Sequence, residues 1–451
     1  MFKKTAVFAL LVAPMMLPGQ TNPGPPPGPP VGGPPASGAP PAAPATGGPL
    51  PGLSASEMSL FIEGASRFRE IDSVSGTQPG ATGTGLGPRF NLNSCAGCHA
   101  QPAVGGSSPQ VNPQIAVATA YGATNTIPAF IQQNGPVRAV RFARNPDGTA
   151  DGGVHNLFVI TGRSDAVGCT IQQPDFATAV AQNNAFFRIP VPLFGAGLIE
   201  AIDDATILAN KSANAQLKAQ FGIAGFENRN PNDGTITRFG WKAQNKSLTL
   251  FGGEAYNVEQ GVTNEIFPTE RDETPGCGFN TTPEDATNVT ASSVLASISD
   301  VTGFAAFMRF LAPPAPAPSS NSASAVNGRN AFTQVGCALC HTAVLSSGNA
   351  DSPALRNQAV HLYSDLLLHN MGTGLTDGIV QGLAQGNDWR TAPLWGLSQR
   401  LFFLHDGRAT SLGQAIQLHT GPQSEANGSV AAFNALPAAT QQDILNFLQS
   451  L

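Results

Sequence analysis

The chain has 451 residues, about three times a typical single-domain length, so two or three domains are expected. Lys and Arg total 23 against 29 Asp and Glu, for a net charge of -6. The chain is acidic and lacks a basic tract, which excludes an electrostatic nucleic-acid binder. Six cysteines in this length are too few for a small disulfide scaffold.

Residues 1–20 read as an export signal. Lys3 and Lys4 precede a short apolar stretch, Ala6 to Leu17, broken by Pro14, a pattern closer to a secretory signal than to an uncleaved anchor. No later run reaches the ~18 apolar residues of a spanning helix. The mature chain is therefore expected to be periplasmic or otherwise exported, and not membrane-spanning. Residues 21–52 hold 13 of the 38 prolines and no charge. They cannot bury enough surface to offset their ordering entropy, so a disordered tether is expected. A second such stretch, 313–325, divides the remainder into a first domain at 53–312 and a second at 326–451.

Apolar periodicity predicts helices at 55–70, 203–221, 292–311, 326–335, 411–418 and 440–448. The segments 115–121, 136–143, 154–162 and 236–251 carry β-type residues broken by Gly, Asn and Pro. The expected fold is mainly α: two cytochrome c-like haem domains, the first with long loops and short β insertions. The haem part of that reading comes from two short motifs.

Those motifs are Cys95-Ala96-Gly97-Cys98-His99 and Cys337-Ala338-Leu339-Cys340-His341. Cys-x-x-Cys-His is the c-type haem attachment signature. Two cysteines three apart on a helical turn present both sulfurs to the two haem vinyl groups, and the adjacent His reaches the iron. A zinc site is the weaker reading, because 238 residues separate Cys98 from Cys337 and zinc ribbons keep their pairs close. Two covalently bound haem c groups are expected, with His99 and His341 as proximal ligands. Cys169 and Cys277 are left over; an oxidising compartment permits a disulfide between them, the alternative being two buried thiols.

The distal iron ligands decide between chemistry and electron transfer. In the first domain His155, Met58 and Met308 are available; in the second His361, His369, Met371, His405 and His419. The first haem is poorly supplied and is expected to keep an open position, the second to be saturated. A faint internal echo joins Arg188-x3-Pro192-Leu193-Phe194-Gly195 to Arg390-x2-Pro393-Leu394-Trp395-Gly396, each Arg a candidate partner for a haem propionate.

Further strings carry a resemblance: Gly87-Pro88-Arg89-Phe90-Asn91, Gly197-Leu198-Ile199-Glu200-Ala201, Arg238-Phe239-Gly240-Trp241-Lys242-Ala243, Tyr363 to His369, Trp389 to Gly396 and His405-Asp406-Gly407-Arg408. Over residues 53–451 the chain resembles the di-haem oxidoreductases grouped with the bacterial di-haem cytochrome c peroxidases. The resemblance implies peroxide chemistry at the N-terminal haem and a six-coordinate C-terminal haem. It places the distal ligand of the latter at His419, with Met371 as the alternative; the cytochrome c peroxidases usually have Met at this point. It also implies a tryptophan between the haems (Trp241, Trp389 or Trp395) and Ca2+ between the domains, to which Asp365, Asp388 and Asp406 could contribute. A peroxidase needs an acid–base group above the open iron. Glu200 is the sequence candidate, ahead of His155, and a salt-bridged or helix-terminal carboxylate is its structural alternative.

The expected partners are peroxide or another small oxidant and a periplasmic electron donor. A di-haem electron carrier without a catalytic site, and an oxidase or oxygenase of an organic or protein substrate, are the competing functions.

Overall fold

A computed structural model describes residues 46–451. The export signal at 1–20 and most of the tether lie outside the described residues. The tether's last residues do not run free. Leu50, the one large aliphatic side chain between Val31 and Leu53, is buried, and its N–H donates to Phe310 O. The 313–325 stretch also packs: Ala317 N–H donates to Ser450 O, and a helix already starts at Ala323 under a Ser322 cap.

The described residues hold 14 α-helices and only short strands, which pair two by two. One core lies where Ala55–Phe68, Leu248–Gln260 and Asp300–Phe310 meet. The first of these begins with a Ser54/Glu57 capping box, which satisfies two orphan backbone donors. Phe61 and Phe68 then stack on Phe307 at 5.5 and 4.8 Å. Each such burial contributes roughly 1.5–3 kcal/mol. The approach is close because a Cβ on Gly64 would stand 2.2 Å from Gly303 O. A second core surrounds Phe90, Leu157 and Phe158 and includes the disulfide Cys169–Cys277. A third joins Ala323–Gln334 to Ala438–Leu448 through Phe332 and Phe447, 5.4 Å apart.

Several expected elements differ. The 203–221 helix is two, Asp204–Ser212 and Ala215–Phe221, because Asn214 takes the left-handed conformation at φ 56°. The 292–311 helix breaks at Ile298. The 115–121 segment is a helical turn followed by a 3-10 turn, not a strand. Most of 236–251 is also not strand: after Ile236–Thr237 the chain enters the helix Leu248–Gln260, capped by Ser247.

Buried and half-buried acids gather beside the first core. Desolvation pushes Glu70 and Glu284 up to about 7 and Asp285 up to about 6. For each, the folded-state value lies above the unfolded one. The favourable neutral form is fully present below the unfolded value and is lost as pH rises through the folded value. Glu284→Gln is therefore expected to raise the melting temperature above pH 7 and to leave it unchanged below pH 4.5, as a calorimetric pH series would show.

Candidate active site and cofactor cavities

The first motif forms one helical turn, Cys95–Cys98, with His99 at its end. His99 Nδ1 lies 3.0 Å from Gly106 O. A proton on Nδ1 satisfies that carbonyl and leaves Nε2 unprotonated, the state a metal ligand needs. Burial holds His99 down at about 4. Cys95, Cys98 and His99 open onto one cavity of about 1140 Å³.

One wall comes from the helix Leu248–Gln260, which contributes Glu254, Tyr256 and Glu259. Gly252 sits where a Cβ would meet Met308 and Phe304 at ordinary contact distance, 3.4 and 3.6 Å. Arg138 and Arg188 also line this cavity, and each has a buried Nε without a partner. Two unspent guanidinium donors suit a ligand with carboxylate arms, as a haem has.

The second motif builds a matching cavity of about 1530 Å³ around Cys337, Cys340 and His341. His341 Nδ1 lies 3.0 Å from Tyr363 O, and burial holds this imidazole down at about 4 too. His419 enters the same cavity from the end of the helix Leu412–Leu418. Its Nδ1 is tied to Ala415 O at 2.6 Å, which leaves Nε2 available. Met371 and His405 line the cavity as well. His405 stacks on Trp389 at 3.7 Å. His369 is fully committed: Nε2 meets Asp365 at 2.9 Å and Nδ1 meets Glu425 at 2.7 Å. Against the cost of burial, the Asp365 carboxylate holds this imidazole well above its ordinary range.

Other sequence candidates fall elsewhere. Glu200 does not line the first cavity. Its carboxylate accepts from Arg309 Nε at 2.7 Å and from Leu248 N at 2.8 Å, so it caps a helix and forms an ion pair. His155 pairs with Asp151 at 2.7 Å and stacks on Phe142. Met58 packs at the edge of the first core, whereas Met308 does line the first cavity. His361 is exposed.

The echoed arginines do mark the two sites: Arg188 borders the first cavity and Arg390 the second. Trp241 borders both, and its Nε1 donates to Ile189 O at 2.9 Å. Trp389 borders only the second and carries Lys242 Nζ over its ring at 4.1 Å.

The acids suggested for Ca2+ do not fit that ion. Asp365 serves His369, Asp388 accepts from Gln385 N, and Asp406 pairs with Arg408. Among the described residues, the one three-member group able to grip a metal is Cys340, Asp365 and His369, which shares its cysteine with the second motif. Sequence reasoning missed Gln244 and Glu254, which both border the first cavity: Gln244 fell in the segment 236–251 read as β-type, and no helix was expected where Leu248–Gln260 carries Glu254.

A family model described as "Di-haem oxidoreductase, putative peroxidase" matches residues 140–451. The chain belongs to this family. Haem is therefore the cofactor class of this di-haem oxidoreductase, and the matched region includes the second motif. No curated protein matches the chain. Among solved structures, a MauG-like protein associated with microbial copper homeostasis is 18% identical at a TM-score of 0.29, covering 58% of this chain and 90% of that one. Kuenenia stuttgartiensis hydrazine synthase pressurised with 20 bar xenon is 19% identical at a TM-score of 0.23. The oxidoreductase is matched there over 35% of its own length and spans 58% of that chain.

Proposed function

We propose that this oxidoreductase is an exported two-domain c-type protein that activates peroxide at its N-terminal haem and supplies electrons from its C-terminal haem. In this reading Cys95 and Cys98 hold the first haem by thioether links, and Cys337 and Cys340 the second. His99 and His341 would each ligate the iron of their own haem, and His419 would be a further iron ligand of the second. The observation that carries the reading is the unlike furnishing of the two cavities. The second presents, besides His341, an imidazole with a free Nε2, His419, while the one histidine lining the first is His99, with the carboxylates Glu254 and Glu259 on the same cavity.

The haem, when bound, supplies the redox-active iron at which peroxide is reduced. The chain's own groups manage the protons. Glu254 takes the acid–base role first sought at Glu200, holding a proton at its carboxylate and moving it between the peroxide oxygens. Asn245 Nδ2 donates to Glu254 Oε2 and fixes its orientation. Arg138 and Arg188 anchor propionates through their unpartnered Nε donors. Trp241, on the wall of both cavities, is the aromatic bridge between them.

The ferric EPR spectrum tests the proposal. One high-spin and one low-spin haem are expected, with the high-spin signal changed by peroxide. In His419→Ala the low-spin signal should convert to high-spin, with both haems still attached. Two low-spin signals in the wild type would favour the electron-carrier reading.

A further inference from the structure

One group on the wall of the first cavity is unused by the peroxide reading. Tyr256 lines this cavity, is 3% exposed, and packs edge-on against Phe304 with ring centroids 5.0 Å apart. Its hydroxyl points into the protein, 3.4 Å from Asp72 Oδ2 and 3.3 Å from Asp300 Oδ2. The side chain thus joins the cofactor cavity to a pair of carboxylates. The chain has three tyrosines. Tyr121 instead donates to the Pro79 carbonyl, and the Tyr363 ring packs on Phe447.

The two carboxylates are not equivalent. Asp300 Oδ1 is paired with Arg67 Nη1 at 2.7 Å, so its charge is already compensated. Asp72 is 2% exposed and its Oδ1 has no partner. The Gln260 amide, oriented with its NH2 towards acceptors, reaches Asp72 Oδ2 at 2.8 Å. The charged groups facing Asp72 are Glu70, Asp300 and Glu284, all acidic, and Arg67 is spent on Glu63 and Asp300. Burial among like charges pushes Asp72 well above the carboxylate range, so once ionised it is a strong base.

Taking one electron from a phenol is easy only if the hydroxyl proton leaves with it to a nearby base. We propose that Tyr256 is a one-electron donor to the first haem, with Asp72 as the acceptor of its phenolic proton. In this step the Tyr256 O–H bond breaks. The electron reduces the peroxide-oxidised haem by one equivalent, the proton moves to Asp72 Oδ2, and a neutral tyrosyl radical remains. An electron from the reducing substrate and the proton held by Asp72 then restore the phenol. The inference rests on the peroxidase reading for its oxidant.

The test is freeze-quench EPR of the holoprotein carrying ring-deuterated tyrosine, after peroxide, with the haem optical spectrum recorded in parallel. The wild type should show a tyrosyl signal narrowed by deuteration and strengthening as pH rises and Asp72 ionises. Tyr256→Phe keeps the ring on Phe304 and should lose the signal while its haem spectrum still responds to peroxide. Asp72→Asn should weaken the signal several-fold. A signal persisting in Tyr256→Phe overturns the assignment of the radical, and an undiminished one in Asp72→Asn overturns that of the base. If peroxide leaves the haem spectrum unchanged, the peroxidase reading fails instead. The same variants oxidised with hexachloroiridate(IV) then decide Tyr256 independently, and a signal indifferent to Tyr256→Phe overturns it there too.

Discussion

Glu254→Gln should slow the reaction of the first haem with peroxide by about 100-fold to 10,000-fold, the usual worth of a positioned acid–base group. Glutamine keeps the length and the hydrogen-bonding shape, so Asn245 still has an acceptor to donate to. What is lost is the ability to take a proton from one peroxide oxygen and give it to the other. Stopped-flow mixing of the ferric protein with peroxide checks this, with the ferric spectrum of the second haem as an internal control. The same change at Glu200 should leave the rate within a few-fold of wild type. Its carboxylate is occupied by Arg309 and Leu248 N, so its loss should register in stability. A normal peroxide rate in Glu254→Gln would remove Glu254 from the chemistry.

Asp377→Ala should be the most destabilising single truncation among the polar groups that join the two cavities. Asp377 is 1% exposed and faces two buried cations, Arg188 at 2.6 Å and Lys242 at 3.2 Å. Burial pushes both cations down, Arg188 to about 10 and Lys242 to about 8, and Asp377 partly offsets that. Removing one partner of a buried ion pair typically costs about 3–5 kcal/mol, because the remaining charge is left uncompensated. Lys242 would keep its hydrogen bonds to the Gln385, Gly386 and Asp388 carbonyls, but Arg188 would keep only Gln381. Since Arg188 lines the first cavity and Lys242 covers Trp389 at the second, the loss should loosen both. Chemical denaturation followed by haem absorbance measures it. A change under 1 kcal/mol would mean that water already compensates the pair.

The parts of the candidate site most legible in the sequence are those whose geometry is local. A Cys-x-x-Cys-His string fits into one turn, so its geometry is implied by its spacing, and both copies do open onto cavities. His419 was reachable through the family resemblance, which points to the segment after His405-Asp406-Gly407, and its side chain lines the second motif's cavity. The helix Leu248–Gln260 was not reachable. Gly252-Gly253 lowers its intrinsic propensity, and the contacts that seat it lie further along the chain: Gly252 faces Phe304 and Met308, some fifty residues later, and Gly253 faces Asn264 and Phe267. Glu254 and Tyr256 were hidden for the same reason. Glu200 misled because its apolar sequence neighbours suggested a desolvated carboxyl. Its real partner, Arg309, arrives from a helix 109 residues away. The packed start at Leu50 and the helix start at Ala323 were lost in Pro- and Ser-rich composition, which reports average tendency and not the contacts that one leucine or one serine cap can make.

The account stands on two porphyrins bonded to the polypeptide through sulfur. The intact mass of the mature protein, taken under denaturing conditions after expression in a host equipped for c-type maturation, tests this most directly. The predicted result is the mass of the processed chain plus two haems, falling by one haem when Cys95 and Cys98 are both changed to Ala and by one when Cys337 and Cys340 are. A mass equal to the bare chain would contradict it.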